Sequence, residues 1–62
     1  MSAAEFRAAL AALDMTQKRL AELLEADKAT PNRWALGTRP VPKAVELLLQ
    51  TWIAAPELIP SD

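Results

Sequence analysis

Lys28, Ala29, Asn32 and Arg33 fall, at 100° per residue, on one helical arc of roughly 140° with Leu36, while Thr30, Pro31 and Trp34 fall on the opposite side. A cation, a methyl, an amide and a guanidinium offered side by side suit the edges of base pairs. Lys28 and Arg33 fit the acceptors of guanine, Asn32 an adenine edge, and Ala29 a thymine methyl or simply close approach. Trp34 is expected in the core: the aromatics are one phenylalanine and two tryptophans, with no alternation of basic and aromatic side chains of the kind that stacks bases. Most catalytic chemistry is closed to the chain. It has no cysteine, histidine or tyrosine, hence no disulfide, no Cys/His zinc site and no nucleophile served by an imidazole base. Glu5, Glu22 and Glu46 are expected on solvent faces, without partners for catalysis. A binding protein is expected rather than an enzyme, with no metal, no cofactor and no small-molecule pocket.

The net charge of -1 runs against a nucleic-acid partner until it is resolved along the chain. Between Thr16 and Lys43, six cations (Lys18, Arg19, Lys28, Arg33, Arg39, Lys43) face three acids (Glu22, Glu25, Asp27), leaving +3, so the remainder carries -4. The field over one face governs binding, and a basic middle with acidic ends is the expectation. At 62 residues, 52% hydrophobic and 24% charged, the chain suits one small folded domain that gains further burial by self-association. The start MSAAEFR has no basic stretch followed by a long apolar one, and no segment reads as a membrane span; a soluble cytoplasmic protein is expected.

The elements that must position these residues are all helical. Ser2 with Glu5 fits a capping box, and Phe6, Leu10 and Leu13, flanked by Ala3 and Ala9, form the apolar stripe of a first helix ending near Leu13. Thr16 is the N-cap of a second helix from Gln17 to Leu24, with Leu20, Ala21 and Leu24 inward. Asp27 is the N-cap candidate for a third, from Lys28 to Leu36, which stops at Gly37, the one glycine. Pro42 opens a fourth that runs to residue 53 or 54, and Pro56 stops it; residues 56–62 form one more turn or a tail. The expected fold is all-α, a compact bundle of four to five short helices in a single domain spanning 1–62.

The run Thr16-Gln17-Lys18-Arg19-Leu20-Ala21-Glu22-Leu23-Leu24, then Thr30, Arg33-Trp34 and Gly37, then Arg39-Pro40-Val41-Pro42, resembles the helix-turn-helix of the Cro and phage-repressor family, often called XRE-type. The resemblance implies a lambda-repressor-like fold with the helix-turn-helix core at about 16–37, and a dimeric transcriptional regulator whose third helix enters the major groove of double-stranded DNA. With that helix in the groove, Thr16 and Gln17 at the start of helix two would meet a phosphate, and Arg39 and Lys43 would reach the backbone on the other side. Lys18 and Arg19 are weaker candidates. Two residues depart from the family pattern. Glu25 stands where glycine is usual, so either a non-glycine residue adopts a less favoured backbone conformation, at about 1 kcal/mol, or the turn differs slightly. Pro31 replaces a β-branched core residue and removes one amide near the first turn.

On helix four, Ala44, Val45, Leu48, Leu49, Trp52 and Ile53 span roughly 180°, wider than the stripe of about 100° that one core contact needs, and Leu47 widens it further. Trp52, Ile53, Leu58 and Ile59 are the expected two-fold interface, the alternative being that the tail folds back and covers them within one chain. A dimer would set two recognition helices about 34 Å apart and read an inverted repeat. The expected function is a homodimeric repressor of the kind found in phages and mobile elements. The rival is a protein-interaction module, antitoxin-like or an antiactivator, whose helix four docks a different protein.

Overall fold

The first three helices start where a side chain takes up amides that have no partner of their own. In the computed structural model, which describes residues 1–61, α1 spans Ala3–Ala12 and opens on the expected capping box: the Glu5 amide donates to Ser2 Oγ at 3.1 Å and the Ser2 amide to Glu5 Oε1 at 2.7 Å. α2, Gln17–Leu24, is capped by Thr16, whose hydroxyl accepts from the Arg19 amide at 3.0 Å. α3, Ala29–Leu36, starts one residue later than the sequence suggests, yet Asp27 still caps it. Its Oδ1 accepts from the Ala29 amide at 2.8 Å and its carbonyl from the Thr30 amide at 2.9 Å. Pro31 therefore falls in the first turn, among amides with no acceptor inside the helix, and loses no bond. α4, Lys43–Ala54, follows Pro42, and a 3-10 turn, Pro56–Leu58, ends the fold. Among the described residues there is no strand, and no helix is long and apolar enough to cross a membrane. Asp62, at the end of the expected tail, lies outside the described residues.

The first three helices stop in the same way. Asp14 (φ 52), Glu25 (φ 52) and Gly37 (φ 80) adopt the left-handed conformation. The next amides, of Met15, Ala26 and Thr38, donate back to the carbonyls of Leu10, Ala21 and Arg33 at 2.9, 2.9 and 3.0 Å. This is the Schellman stop, which lets the chain reverse within a few residues and keeps the last carbonyls bonded. Only the third uses glycine. Glu25 adopts the conformation its replacement of glycine calls for; Asp14 does so without any sign in the sequence.

The core is built from Phe6, Ala9 and Leu10 of α1, Leu20 and Ala21 of α2, Pro31, Trp34 and Ala35 of α3, and Val45, Leu49 and Trp52 of α4. α1 packs on α3 and α4, and α2 packs on α3. Phe6 meets Trp34 edge to face, centroids 5.7 Å apart at 82°, an arrangement worth about 0.5–1.5 kcal/mol beyond area burial.

Trp52 is a correction to the expected interface. It is 4% exposed and lies in the core of this chain, because it stands one turn beyond Leu49 on the stripe that α4 turns toward α1. Ile59 is half-buried as well: the 3-10 turn folds back on α4, and Arg19 Nη2 donates to the Pro60 carbonyl at 3.1 Å, holding the tail down. The chain thus covers with its own tail part of the surface assigned to a second copy. Ile53, 44% exposed, and Leu58, 58%, remain outside with Leu47.

Candidate nucleic-acid interface

α3 is pinned from three directions. Trp34 and Ala35 are buried against the rest of the core, Asp27 holds its first amides, and Arg7 Nη1 of α1 donates to the Ala35 carbonyl in its last turn. A guanidinium at a helix C-terminus also complements the helix dipole. Arg7 is a positioning residue that sequence reasoning missed; it lies 28 positions from Ala35, and an isolated arginine on α1 gives no local signal of that contact.

What α3 turns outward is the arc expected of it. Lys28, Asn32 and Arg33 are exposed, Ala29 is half-buried, and Leu36 is 67% exposed at the far end. Eight residues make a rod about 12 Å long, commensurate with a major groove about 12 Å wide. Among the described residues, Lys28, Arg33 and Arg39 form no ion pair, and their side chains make no hydrogen bond within the chain. Of the other expected cations, Lys18 is exposed and likewise unpaired, while Lys43 and Arg19 are engaged. Lys43 Nζ donates to Glu46 Oε2 at 3.2 Å with its side chain 74% exposed, an ion pair of little strength that a phosphate can displace. Arg19 pairs with Glu22 at 3.9 Å as well as holding the tail, which leaves it a structural role.

Two open pockets bracket the candidate phosphate-binding residues. Thr30, Arg33, Trp34, Arg39 and Pro40 line one of about 420 Å³. Arg7, Leu10, Ala11, Met15, Thr16 and Gln17 line another of about 380 Å³ at the start of α2. The Thr16 hydroxyl accepts from the Arg19 amide and keeps its own O–H, Gln17 makes no side-chain hydrogen bond among the described residues, and Arg7 is engaged with the Ala35 carbonyl. The structure thus brings Thr16 and Gln17 together, and Arg33 with Arg39, while Lys43 lies apart from both sets.

Neither acid with a shifted pKa belongs to α3. Hydrogen bonds from Ser2, its backbone amide first, hold Glu5 below the usual carboxylate range. The Met1 ammonium at 2.8 Å, followed by Lys43, holds Glu46 below that range, and Gln50 adds a bond at 3.4 Å. Both acids stabilise helix starts. Among the described residues no cluster of acids could hold a metal ion. The chain matches no known protein family, no curated protein and no solved structure.

Proposed function

We propose that this protein is a sequence-specific double-stranded DNA-binding regulator, a cytoplasmic homodimeric repressor that occludes promoter DNA by laying α3 in the major groove. One observation carries this reading: α3 is held rigidly by Trp34, Asp27 and Arg7, yet its opposite face presents Lys28, Asn32 and Arg33 to solvent with no partner in the chain. A helix whose cations are tied into internal ion pairs would be a solvated face; this one keeps its donors available at fixed positions. Lys28 and Asn32 read base edges, Ala29 permits close approach, and Thr16, Gln17, Arg39 and Lys43 meet phosphates. Ile53 and Leu58, with Leu47 beside them, form the contact with the second copy.

Selection of bound sequences from random duplex DNA by the purified protein, at two salt concentrations, tests the reading. The expected result is an enriched inverted repeat with half-sites about 10 base pairs apart, bound less tightly at higher salt. Lys28→Ala with Asn32→Ala should leave the circular dichroism spectrum unchanged and weaken the selected site by about 1–3 kcal/mol per lost base contact. Failure of any duplex sequence to enrich would sink the proposal.

Leu36 favours a second reading. A leucine 67% exposed in the middle of a polar arc suits a protein partner as well as a thymine methyl. Lys28→Ala with Arg33→Ala separates the two: an antitoxin-like or antiactivator module would keep its function after both changes, and a DNA regulator would lose it.

A further inference from the structure

We propose that Arg33 and Arg39 together clamp one backbone phosphate of the bound strand, so that Arg33 fixes register and does not read a guanine. This rests on the DNA-binding reading and assigns one of its residues a different task.

At 100° per residue Arg33 stands roughly 140° round from Lys28, at the margin of the outward arc and next to Thr30 and Trp34, while Asn32 lies near its middle. The same margin opens into the pocket of about 420 Å³, whose lining residues are Thr30, Arg33, Trp34, Arg39 and Pro40, two of them arginines and none an acid. The loop after α3 is folded back to make it. Three donors converge on the Arg33 carbonyl: the Thr38 amide at 3.0 Å, the Thr38 hydroxyl at 3.2 Å and the Arg39 amide at 3.4 Å. The backbone of Arg39 is thereby anchored to the last turn that carries Arg33. Among the described residues no carboxylate neutralises either guanidinium, and the Thr30 hydroxyl makes no bond.

Two like charges gathered at one opening, without a counter-ion, are relieved by an anion that both can reach. Guanidinium forks match the oxygens of phosphate. The pocket is open, so a strand can pass on both sides of the bound group, and Trp34 and Pro40 offer an apolar wall to the neighbouring sugar. These features favour a phosphodiester within a chain over a free phosphate.

The test measures binding of wild type, Arg33→Ala, Arg39→Ala and the double variant to a selected site and to an unrelated duplex over a range of salt. Each single variant should weaken both duplexes by the same factor, on the order of tenfold, and leave sequence preference unchanged. The slope of log K against log salt should fall by about 0.9 in each single variant and by no more in the double, because one phosphate is shared. Relaxed preference at one base pair in Arg33→Ala, or a double variant that loses twice the slope, would overturn the clamp while leaving the DNA-binding reading intact. An NMR titration of the Trp34 indole N–H with inorganic phosphate at constant ionic strength separates the sources. A shift with phosphate but none with duplex means that the pocket takes a free anion, which overturns the clamp, while the duplex affinities measured alongside decide the DNA-binding reading on their own. Shifts with duplex at far lower concentration than with phosphate, absent from the double variant, support the clamp.

Discussion

α3 and α4 each bury one stripe of three residues, and they leave opposite surfaces outside. α3 buries Pro31, Trp34 and Ala35, and α4 buries Val45, Leu49 and Trp52. Beyond those stripes α3 shows Lys28, Asn32 and Arg33, polar groups without partners in the chain, with Leu36 among them, whereas α4 shows Ala44, Leu47 and Ile53 interspersed with Lys43, Gln50 and Thr51. Burial in a domain this small is decided by one face of each helix, and the other face is free to be specialised. The polar surface is suited to a hydrated, charged partner that it reads by hydrogen bonds. The apolar one gains by leaving water, and so suits another copy of the same chain.

The largest effects should fall on the inner faces and be alike. Trp34→Ala and Trp52→Ala each remove a tryptophan less than a tenth exposed, at a cost of about 3–5 kcal/mol, enough to unfold a domain of this size; urea denaturation followed by circular dichroism measures it. Trp34→Ala also removes the edge-to-face contact with Phe6. A stable Trp52→Ala monomer would break the symmetry between the helices and return Trp52 to the interface from which its burial removes it.

The outer faces should then differ in kind. Ile53→Lys with Leu58→Lys should convert a dimer to a monomer in sedimentation equilibrium, with monomer stability changed by no more than about 0.5 kcal/mol. Leu36→Lys, at a residue more exposed than either, should leave the assembly state alone. If Leu36→Lys dissociates the dimer and the α4 pair does not, the two outer faces have exchanged their roles.

How much of this was legible in the residues depends on the reach of each interaction. Ser2 with Glu5, Thr16, Asp27, Gly37 and Pro56 mark helix ends because capping acts over two to five residues, and the helix bounds they imply agree with the structure to within a residue. The outward arc of α3 was legible for the same reason. Arg7 on the Ala35 carbonyl and Arg19 on the Pro60 carbonyl were not, because sequence separations of 28 and 41 leave no periodicity to read. Trp52 went to the wrong surface because helical spacing shows that a residue shares an apolar stripe, not whether this chain or a second copy covers it. Asp14 gave no warning: its left-handed backbone is imposed by the reversal between α1 and α2, not by its side chain.

The smallest effects belong to the two turns that bracket α3, and they test whether its outward face depends on how it is held. Glu25 and Gly37 both take the left-handed conformation, at φ 52 and φ 80, but only one is glycine. Glu25→Gly relieves a strain of about 1–2 kcal/mol and loses about 0.4–1 kcal/mol to the greater freedom of the unfolded chain, for a net gain of up to about 1.6 kcal/mol. Gly37→Ala moves the other way by about 1 kcal/mol from backbone strain alone, since the added methyl would meet the Ala3 Cβ at an ordinary 3.5 Å. In a domain this small, 1 kcal/mol displaces the thermal midpoint by about 4–8 °C, which a melting curve resolves. Glu25→Gln divides strain from charge. It keeps the left-handed backbone strained and removes the negative charge beside α3, so it should tighten duplex binding without moving the midpoint. A midpoint that rises in Glu25→Gln would mean that charge repulsion, and not backbone strain, is the cost carried by this turn.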